Sequence, residues 1–223
     1  VYNELTYPHF TQMMKFLNVE TVDSDMSLSI QTEGGIEWAG TNLSTVFAQK
    51  RNLFNPRFLN MLKDVLKFHR EANENLELAR KNSWTLQDLI RYRNLSTGFV
   101  NWYLLPMTGA IWSMSYDKAL SFPAETFMQF CMNHRLLQVE NRPTWKTVRN
   151  GSINYVNQIA KRLPVIHLNT AIRSIEPREN KLVLRSSEKR YEFDKVVLAT
   201  SAPISFEILK EHFSSQAEVL KNA

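Results

Sequence analysis

Apolar positions recur at three- and four-residue intervals through the middle of the chain and at two-residue intervals or in short runs nearer its ends. After Pro8, the residues Phe10, Met13, Met14 and Leu17 share one helical face, which predicts a helix from about 8 to 17 that turns at Asn18 into a short strand over Val19 to Val22. Met26, Leu28 and Ile30 alternate with serines, Gly34-Gly35 breaks the run, and Ile36 and Trp38 resume it, the pattern of a hairpin. From Asn42 to about His134 the period is helical. Asn55-Pro56 opens a long helix with Phe58, Leu62, Val65, Leu66 and His69 on its apolar face. Thr85 with Asp88, and Pro123 with Glu125, mark two further helix starts. Between them "VNWYLLPMTGAIWSM" is apolar almost all round, so it reads as buried helix with a kink or break at Pro106 and Gly109.

The texture changes again after Trp145. Ile153, Val156, Ile159, Ala160 and Leu163 predict an amphipathic helix that Pro164 ends. Five short strands follow in the pattern: "VIHLN", "AIRSIEP", "KLVLRS", "RYEF" and "KVVLAT". In the last, Val196, Val197 and Leu198 run without alternation, as in a strand covered on both faces. The element order predicts a mixed α/β (α+β) fold in which a large, mainly helical segment interrupts an α/β domain.

Composition narrows the setting. The chain has 223 residues, 43% hydrophobic and 11% aromatic, enough for one large domain or two unequal ones. The single Cys131 excludes an internal disulfide and leaves no thiol pair for metal or redox work, which points to a reduced, cytoplasmic setting. No apolar run reaches the length of a membrane helix. The net charge of +5 is spread singly among acids, as in "SSEKRYEFDK", so it reads as a solvated surface and nucleic acid is not expected as a partner. His69, His134 and His167 lack partners at metal-ligand spacing, and no metal site is expected.

One stretch carries more specific information. "KTVRNGSINYVNQIAKRLPVIHLNTAIRSIEP", a hairpin, and then "FDKVVLATSAP" resemble the flavin-containing amine oxidase family, and "VYNELTYPHFTQMMKFLNVETV" is similar to that family's passage from a helix into its substrate domain. "EWAGTNL", "FAQKRNL" and "YLLPMTGAIWS" resemble its bacterial branch of FAD-dependent, or NAD/FAD-binding, oxidoreductases. The resemblance implies part of a Rossmann-like FAD-binding domain at 1–23 and 150–223, with a mainly helical substrate-binding domain at 24–149. It also implies FAD as cofactor and a small-molecule substrate. Ile172 is placed where backbone groups of a strand meet the adenine, and Ala199, Thr200 and Ser201 where a strand ends beside the diphosphate.

Departures from the family pattern matter as well. The glycines at 34, 35, 40, 98, 109 and 151 cannot form a G-x-G-x-x-G loop, so the chain is expected to be a fragment without that N-terminal loop and without the C-terminal flavin-contacting segment. Catalytic residues are accordingly not assigned. Asn150 stands where the family often has glycine, and asparagine tolerates the left-handed turn. Trp102, Tyr103, Trp112, Phe127, His134 and Trp145 are candidates to line an apolar substrate pocket, with Trp112, His134 and Trp145 preferred. The function implied is transfer of a hydride to flavin from a C–N or C–C bond of an apolar or amine substrate. The alternative is a non-catalytic binding or scaffolding module whose apolar groove takes a protein or lipid. The piece alone is expected to be inactive, to bind FAD weakly or not at all, and either to self-associate or to leave its two ends poorly ordered.

Overall fold

Residues 1–138 and 142–221 are described by the computed structural model. They divide into two compact units, Val1–Ile159 and Ala160–Ala223. The first begins with β1 (Tyr2–Asn3), α1 (Pro8–Phe16) and β2 (Thr21–Ser24). Pro8 sits in the first turn of α1, where its missing N–H costs no bond. A hairpin follows, β3 (Ser29–Gln31) against β4 (Glu37–Ala39), with Ile30 opposite Trp38 and both buried. Gly35 takes φ 75° at the turn between them, a conformation that glycine adopts without strain.

Helices then dominate: α2 (Leu43–Val46), a 3₁₀ turn at Lys50–Phe54, α3 (Pro56–Arg70), α4 (Ala72–Asn82), α5 (Leu86–Arg93) and α6 (Thr97–Phe99). The Asn55 side chain accepts from the N–H of Arg57 and of Phe58, and Thr85 and Asp88 form the reciprocal capping box their spacing predicts. The face of α3 is rotated from the expected one. Phe58, Met61, Asp64 and Phe68 are buried while Leu66 is 58% exposed. Asp64 is held in that face because its Oδ2 accepts from the N–H of Ser96 at 2.9 Å. Arg93, 12% exposed at its side chain, closes α5 onto α4 through Glu71, Glu74 and the Asn75 side-chain Oδ1, which accepts from its Nε at 2.7 Å.

The expected kink at Pro106 takes a different form. A π-helical turn at Val100–Leu104 joins α6 directly to α7 (Leu105–Trp112). In an α-helix the carbonyl of residue 102 accepts from the N–H of residue 106, and proline has none. Trp38 Nε1 donates to the Trp102 carbonyl at 3.0 Å, so the hairpin is bonded to the helix within the turn that Pro106 disturbs. After α8 (Tyr116–Leu120) and α9 (Ala124–Asn133), the chain returns in β5 (Trp145–Val148). β5 lies between β1 and β2, antiparallel to both, with Asn3 opposite Trp145 and Thr21 opposite Val148. This strand was not expected from the sequence. α10 (Ile153–Ala160) follows and stops before Leu163, short of the predicted end.

The second unit contains β6 (Ile172–Arg178), β7 (Lys181–Ser186) and β8 (Arg190–Phe193) in one antiparallel sheet, then α11 (Ala202–Leu209) and α12 (Ser214–Leu220). Its buried side chains include Ile175, Val183, Ile208 and Ala217. Only three of the five expected strands form. "VIHLN" and "KVVLAT" pair with no strand among the described residues, and Val197, expected to be covered on both faces, is 90% exposed. A strand exists only with a hydrogen-bonded neighbour, and neither run has one here. Among the described residues, no helix is long and apolar enough to cross a membrane.

Two consequences for stability can be measured. Trp38→Phe leaves the Trp102 carbonyl without its indole donor and is expected to cost about 2 kcal/mol in urea unfolding. Pro106→Ala restores a backbone donor near that carbonyl and is expected to reduce this cost by about 0.5 kcal/mol or more in a double-mutant cycle. His69 gives the second. Its Nε2 lies 2.6 Å from the Tyr103 hydroxyl, and burial, with a smaller push from Arg142, lowers its pKa from 6.5 to about 4. The unfolded chain therefore takes up this proton first as pH falls. Stability is full above pH 6.5 and is expected to drop by about 2–3 kcal/mol on approaching pH 4, a loss that His69→Gln should largely abolish when unfolding is compared at pH 7.5 and 4.5.

Candidate functional site

Two places in the first unit and one in the second carry chemistry. A cleft of about 990 Å³ lies between the β3–β4 hairpin and the helix running from the π turn into α7, with Ile30, Gln31, Trp102, Pro106, Met114 and Tyr116 on its walls. Of the aromatic residues singled out in the sequence, Trp102 reaches it. Tyr103 and Phe127 are instead sealed in the helical core.

The three preferred pocket residues meet elsewhere, in one row of rings. Trp112 packs on Phe130 with centroids 4.9 Å apart, Phe130 on His134 at 4.3 Å, His134 on Tyr7 at 5.5 Å, and Tyr7 on Trp145 at 6.4 Å. Trp145 is buried in β5, while Trp112 and His134 are partly buried. His134 caps the C-terminus of α9, its N–H bonded to the Phe130 carbonyl. Its Nδ1 lies 3.1 Å from the Tyr7 hydroxyl. Burial lowers the pKa of His134 and raises that of Tyr7, so both are neutral at pH 7, and the imidazole tautomer decides which of the two donates.

Tyr7 is held firmly. Its N–H bonds to the Asn3 carbonyl, and its own carbonyl accepts from the N–H and the hydroxyl of Thr11. Asn3 is fully buried, with Oδ1 accepting from the N–H of Thr6 at 2.9 Å. Its Nδ2 and the Thr6 Oγ1 are buried without a partner. Sequence reasoning missed Asn3, Thr6 and Tyr7. Nothing local marks them, because Tyr7 and His134 meet across 127 positions of sequence.

In the second unit, Ile172 opens β6 beside a register shift between Ile172 and Ser174 and is partly buried. Ala199, Thr200 and Ser201 precede α11, the helix that packs on β6. Ser201 is the N-cap residue of α11, yet its side chain makes no capping bond, so the hydroxyl is available to a ligand. Ala199 is exposed and presents only a methyl group, which leaves its backbone approachable. The Thr200 hydroxyl is already engaged, 2.7 Å from the buried Ser205 Oγ. The turn before α10 has Asn150 at φ 59° and Gly151 at φ 91°, and a Cβ at Gly151 would meet nothing within 4 Å. Among the described residues, no group of three or more His, Cys, Asp or Glu side chains could hold a metal ion.

Comparison with known proteins adds the context. The profile of a family described as flavin containing amine oxidoreductase matches residues 2–218. None of the curated proteins compared matches the chain. Among solved structures, the chain is similar to wild-type putrescine oxidase bound to putrescine, at 16% identity and a TM-score of 0.64, over 93% of this chain and 47% of that one. It is also similar to a candidate protoporphyrinogen oxidase from Exiguobacterium sp. 255-15, at 16% identity and a TM-score of 0.58, over 97% of this chain and 51% of that one. The chain thus spans about half the length of both, and the likeness is one of fold.

The hydroxyls at 200 and 201 are separable by experiment. Thr200→Val strips Ser205 of its side-chain partner and is expected to cost about 1–2 kcal/mol in chemical unfolding, whereas Ser201→Ala, which breaks no capping bond, should stay within about 0.5 kcal/mol of wild type.

Proposed function

The chain belongs to the flavin-containing amine oxidoreductase family, and from that membership we propose that it forms part of an FAD-dependent oxidoreductase of the amine oxidase type. The observation that carries the reading is the family match over residues 2–218, which takes in both units. Bound FAD would supply the two-electron acceptor, taking a hydride from a C–N or C–C bond of an apolar or amine substrate. The chain's own residues would bind, orient and exclude water.

On this reading residues 1–23 and 150–223 contribute to the FAD-binding domain, and 24–149 form the substrate-binding domain. Ile172 offers backbone groups to the adenine, and Ala199 and Ser201 offer close approach and a free hydroxyl to the diphosphate. Thr200 acts there through its backbone, because its hydroxyl serves Ser205. The row Trp112, His134 and Trp145 supplies apolar walls for the substrate, as flavin chemistry in a water-poor cavity requires. A reduced, cytoplasmic setting accords with a buried Cys131, whose thiol is pushed up to about 12 by burial and is inert as a nucleophile. The chain without further polypeptide would be inactive and prone to self-association through its exposed apolar run at Val197.

The full-length protein is expected to purify yellow, with absorption bands near those of free FAD. A colourless preparation that remains colourless after incubation with FAD overturns the proposal.

A further inference from the structure

The first unit holds two tyrosine–histidine pairs, and they differ in access. Tyr103 and His69 lie 2.6 Å apart at the edge of the helical core, with Tyr103 only 5% exposed and its ring packed among Trp38, Phe99 and His69. Tyr7 and His134 lie 3.1 Å apart, and each is only partly buried, so solvent reaches part of both side chains.

The open pair has what a proton-handling site needs. The backbone bonds to Asn3 and Thr11 fix Tyr7 in place, and the cap of α9 together with the Phe130 ring fixes His134. Trp145 and Phe130 flank the pair with apolar rings. In the turn that holds Tyr7, Asn3 Nδ2 and Thr6 Oγ1 are buried and unpaired. Each such orphan costs about 1–3 kcal/mol, and native structures keep orphans sparingly, with function one of the reasons.

The geometry points to Tyr7 as a catalytic proton acceptor and to His134 as the residue that positions and recharges it. This rests on the oxidoreductase reading. Oxidation of an H–C–N–H or H–C–C–H unit removes a hydride and a proton. Bound FAD would accept the hydride with its two electrons. The proton is taken by the Tyr7 oxygen as the phenol's own proton moves to His134 Nδ1. The imidazolium then loses one proton to water and returns to the tautomer with Nε2 protonated and Nδ1 bare, which readies the pair for the next turnover, and the substrate leaves as the C=N or C=C product. The substrate class is therefore one with a proton on the atom next to the oxidised carbon, held with that atom at the phenol.

The test uses Tyr7→Phe and His134→Gln in the full-length, FAD-loaded protein, with anaerobic flavin bleaching by putrescine, benzylamine or oleate, whichever bleaches the wild type fastest. Tyr7→Phe is expected to slow bleaching at saturation about 100-fold or more, in the range of general acid–base contributions, with the half-saturating concentration within about threefold of wild type. His134→Gln should slow it less. ¹⁵N NMR of the histidines in the 26.0 kDa chain gives a readout independent of flavin. His134 should show a bare, hydrogen-bonded Nδ1 and a protonated Nε2, and Tyr7→Phe should shift Nδ1. Bleaching by Tyr7→Phe within threefold of wild type, or an Nδ1 signal unmoved by that substitution, overturns the pair while leaving the oxidoreductase reading intact. A wild-type flavin that none of the three compounds bleaches counts against the oxidoreductase reading and takes the pair with it.

Discussion

The antiparallel pairing of β5 with β1 and β2 is the constraint on which the arrangement of the first unit depends. It sets Asn3 opposite Trp145 and Thr21 opposite Val148, and so closes a loop of more than a hundred residues between β2 and β5. Loop closure grows only logarithmically with length, each doubling costing about 0.6 kcal/mol, so a long insertion is tolerated if it supplies its own core. It does so here. Ile30, Phe58, Phe99 and Phe127 belong to one buried cluster, while Tyr2, Met14, Leu17 and Val148 form another at the sheet. The same ladder brings the loop carrying Tyr7 beside Trp145, where the end of α9 meets it.

Local chemistry was legible in the sequence where a short-range signal exists. Asn55-Pro56 and Thr85 with Asp88 announce helix starts through bonds made within four residues, Pro8 through its fixed φ, and each starts one. The Gly34-Gly35 break marks the hairpin for the same reason, and the mixed α/β class followed from the order of such elements. Faces were less legible than elements. The stripe through Leu66 missed Met61 and Phe68, because Asp64 reads as polar and yet lies on the buried face, its carboxylate answering the N–H of Ser96. The partner that licenses a buried aspartate is 32 residues away and invisible to a short window.

The site divides along the same line. Trp112, His134 and Trp145 were picked as bulky residues suited to an apolar wall, and the structure joins them in one row, but Phe130 and Tyr7, which link them, carry no local mark. Pro106 shows how a local signal can be right about a disturbance and silent about its resolution. A missing N–H at Pro106 disturbs the turn before it, as the sequence implies. That the Trp102 carbonyl in this turn accepts from the indole of Trp38, on a hairpin sixty-four positions away, depends on tertiary packing alone.

The apolar runs of the second unit make the complementary case. Val196-Val197-Leu198 has the composition of a strand covered on both faces, yet Val197 is 90% exposed, and Val165, Ile166 and Leu168 are 65%, 48% and 78% exposed. Burial belongs to a residue together with what covers it, so an unbroken apolar run reports a need for cover and not its presence. The helix that follows Val197 is nonetheless anchored, because Ser205 is buried against the Thr200 hydroxyl and α11 packs on β6. The segment from Lys195 to Thr200 is thus tied at its carboxyl end and open along its length. The proposed diphosphate contact would draw on that combination, with a small side chain at Ala199 and, at Ser201, a hydroxyl that makes no capping bond, both just before a helix anchored on β6.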